Sequence, residues 1–402
     1  MSDFYQTGVI TTLHRIGKPS LERIEGELLH FSQSRPVALV LPALYSEFEG
    51  PAMPKIVDEL SKVKYLCEIV LVLDKASEKE FQRVRQFMAP IPGDVKIIHN
   101  DGRRVMEIYD TFKRNGLHVG ERGKGRSAWL AYGYVIANGK CDVIALHDCD
   151  IVNYSRELLA RLCYPVANPD LDYVFCKGFY SRVTHKMYGR VTRLLVTPLI
   201  RSLQDLGGEH RFLNFIDSFR YTLAGEFAMS TDMARVNRIP WDWGLEVGSL
   251  AEVYRNYSPR RVCQVDIADT YEHKHQALSS EGPEKGLMRM TIDISKSIFR
   301  TLASEGVVFS DGFFKSLSVA YLRFAEDTIL KYEADAAING LEFDRHEEAK
   351  AVESFTRAIT LAAETFMQNP MGTPLIPNWN RVTSAIPGIL DMLKKAVDED
   401  NR

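Results

Sequence analysis

The chain of 402 residues is 45% hydrophobic and 26% charged, with a formal net charge of −3 and a pI near 6.4. This composition is globular, long enough for one large or two moderate domains, and argues against nucleic acid as a bulk electrostatic partner. Six cysteines without a Cys-x-x-Cys pair, an N-terminus without a basic and then apolar leader, and no apolar run near the ~18 residues of a membrane span point to a soluble protein with free thiols in a reducing cytoplasm.

Residues 1–34 place Ile10, Leu13, Ile16, Leu21, Ile24, Leu28 and Leu29 at spacings that predict a helical arm, able to lie across the main domain or a second subunit. A strand is expected at 37–41, closed by Pro42-Ala43-Leu44 and a polar loop through Glu47, and then a helix over 52–64. A second strand, 69–73, ends in Asp74. The pattern continues with a helix at 78–88, a strand at 95–98, helices at 103–115 and near 125–138, and a strand at 142–146. Apolar strands alternating with amphipathic helices predict an α/β fold, a Rossmann-like, mostly parallel sheet with helices on both faces. Ligands of such sheets bind beyond the carboxyl ends of the strands, where Glu47, Asp74, Asp148 and Asp150 gather.

The 142–146 strand runs into His147-Asp148-Cys149-Asp150. Two carboxylates one residue apart repel each other, and a hard divalent cation carrying a nucleotide diphosphate would relieve that repulsion. A bare Asp-x-Asp on its own reads first as a solvated turn after a strand. Gly123-Lys124-Gly125 opens the preceding helix and suits an anion, or is a simple surface cap. It does not fulfil the phosphate-loop pattern, which excludes a nucleoside triphosphatase of that class. Gly189-Arg190-Val191-Thr192 opens an apolar helix after a strand at 172–180, a place to grip phosphate or carboxylate, or a helix start with a solvated arginine. Gly225-Glu226 and Leu245-Glu246 each put a carboxylate in a glycine-marked apolar stretch, where an unpaired charge is costly to bury. His273 and His275 follow an expected edge strand. From Gly286 the pattern turns helical, over 310–337, 344–368 and 380–397, with no catalytic cluster.

In this order the motifs resemble the glucosyl-3-phosphoglycerate synthase family of retaining GT-A glycosyltransferases, over residues 5–290. The resemblance implies an arm (1–34), a GT-A catalytic domain (35–285) and a C-terminal helical extension (286–402). It implies transfer of glucose from an NDP-glucose donor, usually UDP-glucose, to 3-phosphoglycerate, a step toward glucosylglycerate as a compatible solute. Pro42, Ala43, Leu44, Glu47 and Asp74 are then expected at the nucleoside, and Lys124, Asp148 and Cys149 along the donor. Glu226 is expected on sugar hydroxyls, with Lys124, Asp150 and Glu226 as the catalytic set. Asp150 and His273 are the implied ligands of Mg²⁺ or Mn²⁺, and Gly189, Arg190, Val191, Thr192 and His275 the implied acceptor contacts. His275 stands where the family carries Asn, which leaves open another NDP-sugar, glucose or mannose, and another small acid such as glycerate. A protein that binds nucleotide sugars without turnover is the reading from a different class. A homodimer is expected, with no membrane partner.

Overall fold

The computed structural model describes residues 4–6, 8–17, 20–272 and 286–402. Its centre is an eight-stranded sheet of β1 (Thr11–Leu13), β2 (Val37–Leu44), β3 (Leu66–Asp74), β4 (Asp94–His99), β5 (Val143–Leu146), β6 (Phe175–Tyr180), β7 (Phe227–Ser230) and β8 (Val262–Ala268). The spatial order is β1, β8, β6, β7, β5, β2, β3, β4. Neighbours are parallel except at β7, which runs antiparallel to both β5 and β6. Ala38, Val40, Val70 and Val72 enter one hydrophobic cluster, and Val37, Leu39, Leu41 and Leu71 the other. Alternate side chains thus find a packed layer on either face, so the strands read as unbroken apolar runs.

The arm departs from its expected helical form. Thr11–Leu13 is a strand paired with Cys263–Val265 of β8, and only Leu21–Phe31 is helical, capped by the Ser20 hydroxyl on Arg23 N–H. The expected edge strand β8 is therefore interior, and β1 forms the edge. The cause is the backbone demand of an unpaired strand, which three residues satisfy without any side-chain periodicity to announce them.

The helices Gly286–Ser304, Asp311–Ile338 and Arg345–Gln368 follow. The segment expected as one helix over 380–397 is two, Trp379–Ala385 and Ile389–Asp400, because Pro387 between them has no N–H for a continuing helix. The chain end returns to the sheet: Asn401 accepts from Ile97 N–H at 2.9 Å and donates to its carbonyl at 2.8 Å, closing the edge of β4. Trp379 stacks on Trp129 with ring centroids 4.3 Å apart, and the two indoles donate to Trp129 and Pro377 carbonyls. No helix among the described residues is long and apolar enough to cross a membrane.

Candidate active site

The site begins where strand pairing stops. The β2–β5 ladder ends at Val40↔Leu146, while β2 and β3 stay paired as far as Leu44↔Asp74. Pro42 lies past the last β5 pair, where the sheet needs no N–H from it on that side. The diverging chain opens a cavity of about 1000 Å³, of the size that takes a large small-molecule ligand. Its walls include Pro42, Ala43 and Leu44 from β2, Glu47, Asp74 from β3, and Asp148, Cys149 and Asp150 after β5. Lys124 and Gly189 through Thr192 line the same cavity. The Cys149 side chain is in the core cluster behind this wall, while Asp148 and Asp150 on either side of it line the cavity.

Lys124 is the first residue of the helix Lys124–Asn138. Its ammonium lies 2.6 Å from Asp148 Oδ1 and 3.4 Å from Glu246 Oε1. Burial works against that charge, but Asp148 and then Glu246 outweigh it and hold the group protonated well above the ordinary lysine range. The pair closes against Gly225, where a Cβ would sit 2.5 Å from Asp148 Oδ2 and 2.7 Å from Lys124 Nζ. Beside this cluster on the cavity wall, Arg122 ion-pairs with both Asp74 and Asp101. Asp101 Oδ2 also accepts from Ala76 N–H at 3.0 Å, which fixes the turn after β3. Lys75 takes a left-handed φ of 55° there, a conformation costing a non-glycine residue about 1 kcal/mol.

Glu226 does not reach the cavity. It is fully buried, and its two oxygens accept from the phenols of Tyr271 at 2.6 Å and Tyr180 at 2.7 Å. Burial, followed by the charge of Asp148, raises its carboxyl above the usual range. Of the two glutamates in the glycine-marked stretches, the one on the cavity wall is Glu246, in the first turn of the helix Leu245–Asn256. Beneath them Lys177 donates to the Ala224 carbonyl at 2.7 Å, and burial brings its ammonium down to about 8. At the other end, Gly189 has a φ of 74°, which lets the chain turn into the π-helical segment Val191–Val196. Arg190 Nε donates to Glu348 Oε1 at 2.6 Å, and Arg182 donates to the Tyr221 hydroxyl at 3.1 Å. Trp243, which opens the glycine-marked stretch of Glu246, also lines the cavity, as do Trp241 and Arg289, which no motif announced. His273 and His275 lie outside the described residues.

No protein-family model matches the chain. A glucosyl-3-phosphoglycerate synthase of Persephonella marina is 53% identical over 401 residues, covering 100% of this chain and 99% of that protein. One of Methanococcoides burtonii is 39% identical, covering 99% of this chain and 98% of that protein. The chain belongs to the glucosyl-3-phosphoglycerate synthase family. Its sheet is that of a GT-A glycosyltransferase. The crystal structure of the Mycobacterium tuberculosis glucosyl-3-phosphoglycerate synthase with Mn²⁺, UDP-glucose and phosphoglyceric acid superposes with a TM-score of 0.53 at 20% identity, covering 75% of this chain and 90% of that one. The same synthase with Mg²⁺ and UDP gives 0.52, with 76% and 89% covered.

Proposed function

We propose that this enzyme transfers glucose from UDP-glucose to 3-phosphoglycerate with retention at the anomeric carbon, releasing UDP. The observation that carries the reading is a single cavity: its donor end holds the Lys124, Asp148 and Glu246 cluster, and its other end presents Arg190 and Thr192. Pro42, Ala43, Leu44, Glu47 and Asp74 face the nucleoside, and Asp148 and the backbone at Cys149 border the ribose and glucose. Gly189, Arg190, Val191 and Thr192 hold the acceptor's anionic groups, with His275 assigned to the same end from sequence.

Lys124 stays charged throughout and faces the departing diphosphate, where fixed positive charge stabilises the transition state. The acceptor hydroxyl forms its bond to the anomeric carbon on the face the diphosphate leaves, and its proton passes to a diphosphate oxygen. Glu226 has both oxygens on phenols, which supports a reaction without an enzyme nucleophile. Its role moves from sugar contact to support of the floor beneath Asp148, and Glu246 takes the sugar hydroxyls.

Among the described residues no group of three or more His, Cys, Asp or Glu side chains is arranged to hold a metal alone. Asp150 on the cavity wall would hold a hard cation there, with His273 as the second protein ligand expected from sequence. Mg²⁺ or Mn²⁺, when bound, supplies neutralisation of charge on that diphosphate.

The same reading has a cytoplasmic homodimer divided into an arm (1–34), a catalytic domain (35–285) and a helical extension (286–402). Its six free thiols suit a reducing compartment. The deciding experiment incubates purified protein and Mg²⁺ or Mn²⁺ with a panel of NDP-sugars against 3-phosphoglycerate and glycerate. UDP release and a glucosylated phosphoglycerate are expected with UDP-glucose. Release only with glycerate, or only with another nucleotide sugar, replaces the substrate assignment; release with no pair sinks the enzymatic reading.

A further inference from the structure

We propose that Glu348, on the C-terminal helix Arg345–Gln368, is a positioning residue that holds Arg190 in place for the acceptor, so that the helical extension completes the acceptor end of the cavity. The inference rests on Arg190 being an acceptor contact. Glu348 is 158 residues away in sequence and only 4% exposed. One oxygen accepts from Arg190 Nε at 2.6 Å and the other from Arg193 Nη2 at 3.0 Å. Arg193 is itself pinned: its Nε donates to the Tyr188 carbonyl at 2.9 Å, and its guanidinium lies 4.7 Å from the centre of the Tyr332 ring, on the helix Asp311–Ile338.

The chain of contacts therefore runs from a buried, hydrogen-bonded guanidinium through a buried carboxylate to the arginine that lines the cavity. Glu348 sits in the first turn of its helix, whose start is fixed by Asp344 accepting from Glu347 N–H at 3.0 Å, so the carboxylate is delivered from a rigid element. Engaging Nε leaves the terminal nitrogens of Arg190 for a phosphate or carboxylate, the two-pronged contact at which arginine excels. A floppy arginine could make the same contact only after losing its rotamer freedom, at a cost in affinity. The carboxylate also separates two guanidinium groups that would otherwise repel each other.

Positioning and plain electrostatics make opposite forecasts. Removing a negative charge beside a phosphate site should tighten an anion if charge alone mattered. Glu348→Gln, nearly isosteric, is assayed for both substrates with thermal unfolding alongside. The expected result is a rise of about tenfold in KM for 3-phosphoglycerate, the loss of one charge-assisted hydrogen bond, with KM for UDP-glucose unchanged. Glu348→Asp, which keeps the charge, should recover part of the loss. An unchanged or lower KM for 3-phosphoglycerate overturns the proposal, as does an equal change in both KM values. Should the Gln variant not fold, Arg193→Lys is read instead; it frees the back of the clamp and should raise the same KM several-fold, and an unchanged value refutes the clamp. Wild type is measured first. If it releases no UDP with 3-phosphoglycerate, the acceptor assignment fails, and the clamp is then read from binding of inorganic phosphate to wild type and variant, where equal affinity overturns it.

Discussion

Gly225→Ala tests whether the close packing of Lys124 and Asp148 is what makes the donor end work. The added Cβ would lie 2.5 Å from Asp148 Oδ2, 3.1 Å from its Cγ and 2.7 Å from Lys124 Nζ. Ordinary contact begins near roughly 3.5 Å, so the carboxylate and the ammonium must each retreat by close to 1 Å. Both are side-chain ends on the wall of an open cavity, so retreat is sterically available and the fold should lose about 1 kcal/mol or less. The chemistry should suffer far more, because a displacement of about 1 Å in a positioned group costs on the order of 100-fold in rate. Steady-state turnover of UDP-glucose with 3-phosphoglycerate, alongside urea unfolding, measures both. A variant with wild-type kcat would refute the argument that the 2.6 Å Lys124–Asp148 pair is held in its working geometry by the missing side chain at position 225.

Asp150→Ala is expected to abolish metal-dependent turnover with an unchanged unfolding midpoint; full activity would remove Asp150 from the metal site. Glu246→Gln should lower kcat/KM for UDP-glucose by about 10- to 100-fold with little change in stability, whereas Glu226→Gln should be read chiefly in stability, since it disturbs the two phenol contacts; the opposite pattern would restore Glu226 as the sugar ligand. Burial holds His147 down to about 4, against an ordinary 6.5, so between these values the unfolded chain takes up a proton that the fold refuses. Stability present above pH 6.5 is therefore lost as pH falls toward 4, by about 3 kcal/mol, and His147→Gln should flatten that part of the pH–stability curve; parallel curves would refute it. Trp379→Ala should cost about 3–5 kcal/mol in urea unfolding, because the indole is buried and stacked on Trp129; a loss under 1 kcal/mol would mean the C-terminal segment is not part of the core.

The parallel sheet was legible because strands buried on both faces must be apolar at every position, and the acidic residues at the ends of β2, β3 and β5 then stand out against them. The two glutamates were not separable by the same means. Glu226 and Glu246 lie in similarly apolar, glycine-marked stretches, and only the phenols of Tyr180 and Tyr271, reached across the sheet, send the first inward while Lys124 draws the second to the cavity. The strand Thr11–Leu13 escaped because three residues hold too few alternations to set against the helical spacing around them. Arg190 could be singled out by its glycine and threonine neighbours, but its partner Glu348 sits in a helix whose local pattern is that of any amphipathic surface. Contacts between distant segments leave no periodic trace.

The charge arrangement at the donor end bears directly on why this chemistry needs a divalent ion. Lys124 is shared between Asp148 and Glu246, and Arg122 between Asp74 and Asp101, so each of these cations already answers two carboxylates. Asp150 and Glu47 add further acidic groups to the same walls. A nucleotide diphosphate entering here brings more negative charge to walls on which Lys124 and Arg122 are each shared between two carboxylates. In the proposed reading Lys124 faces the leaving group, but a single ammonium does not offset both the wall and the ligand. In the proposed reading a doubly charged ion held at Asp150 would relieve both repulsions at once, which would tie the acidic character of the strand ends to the metal-dependent transfer.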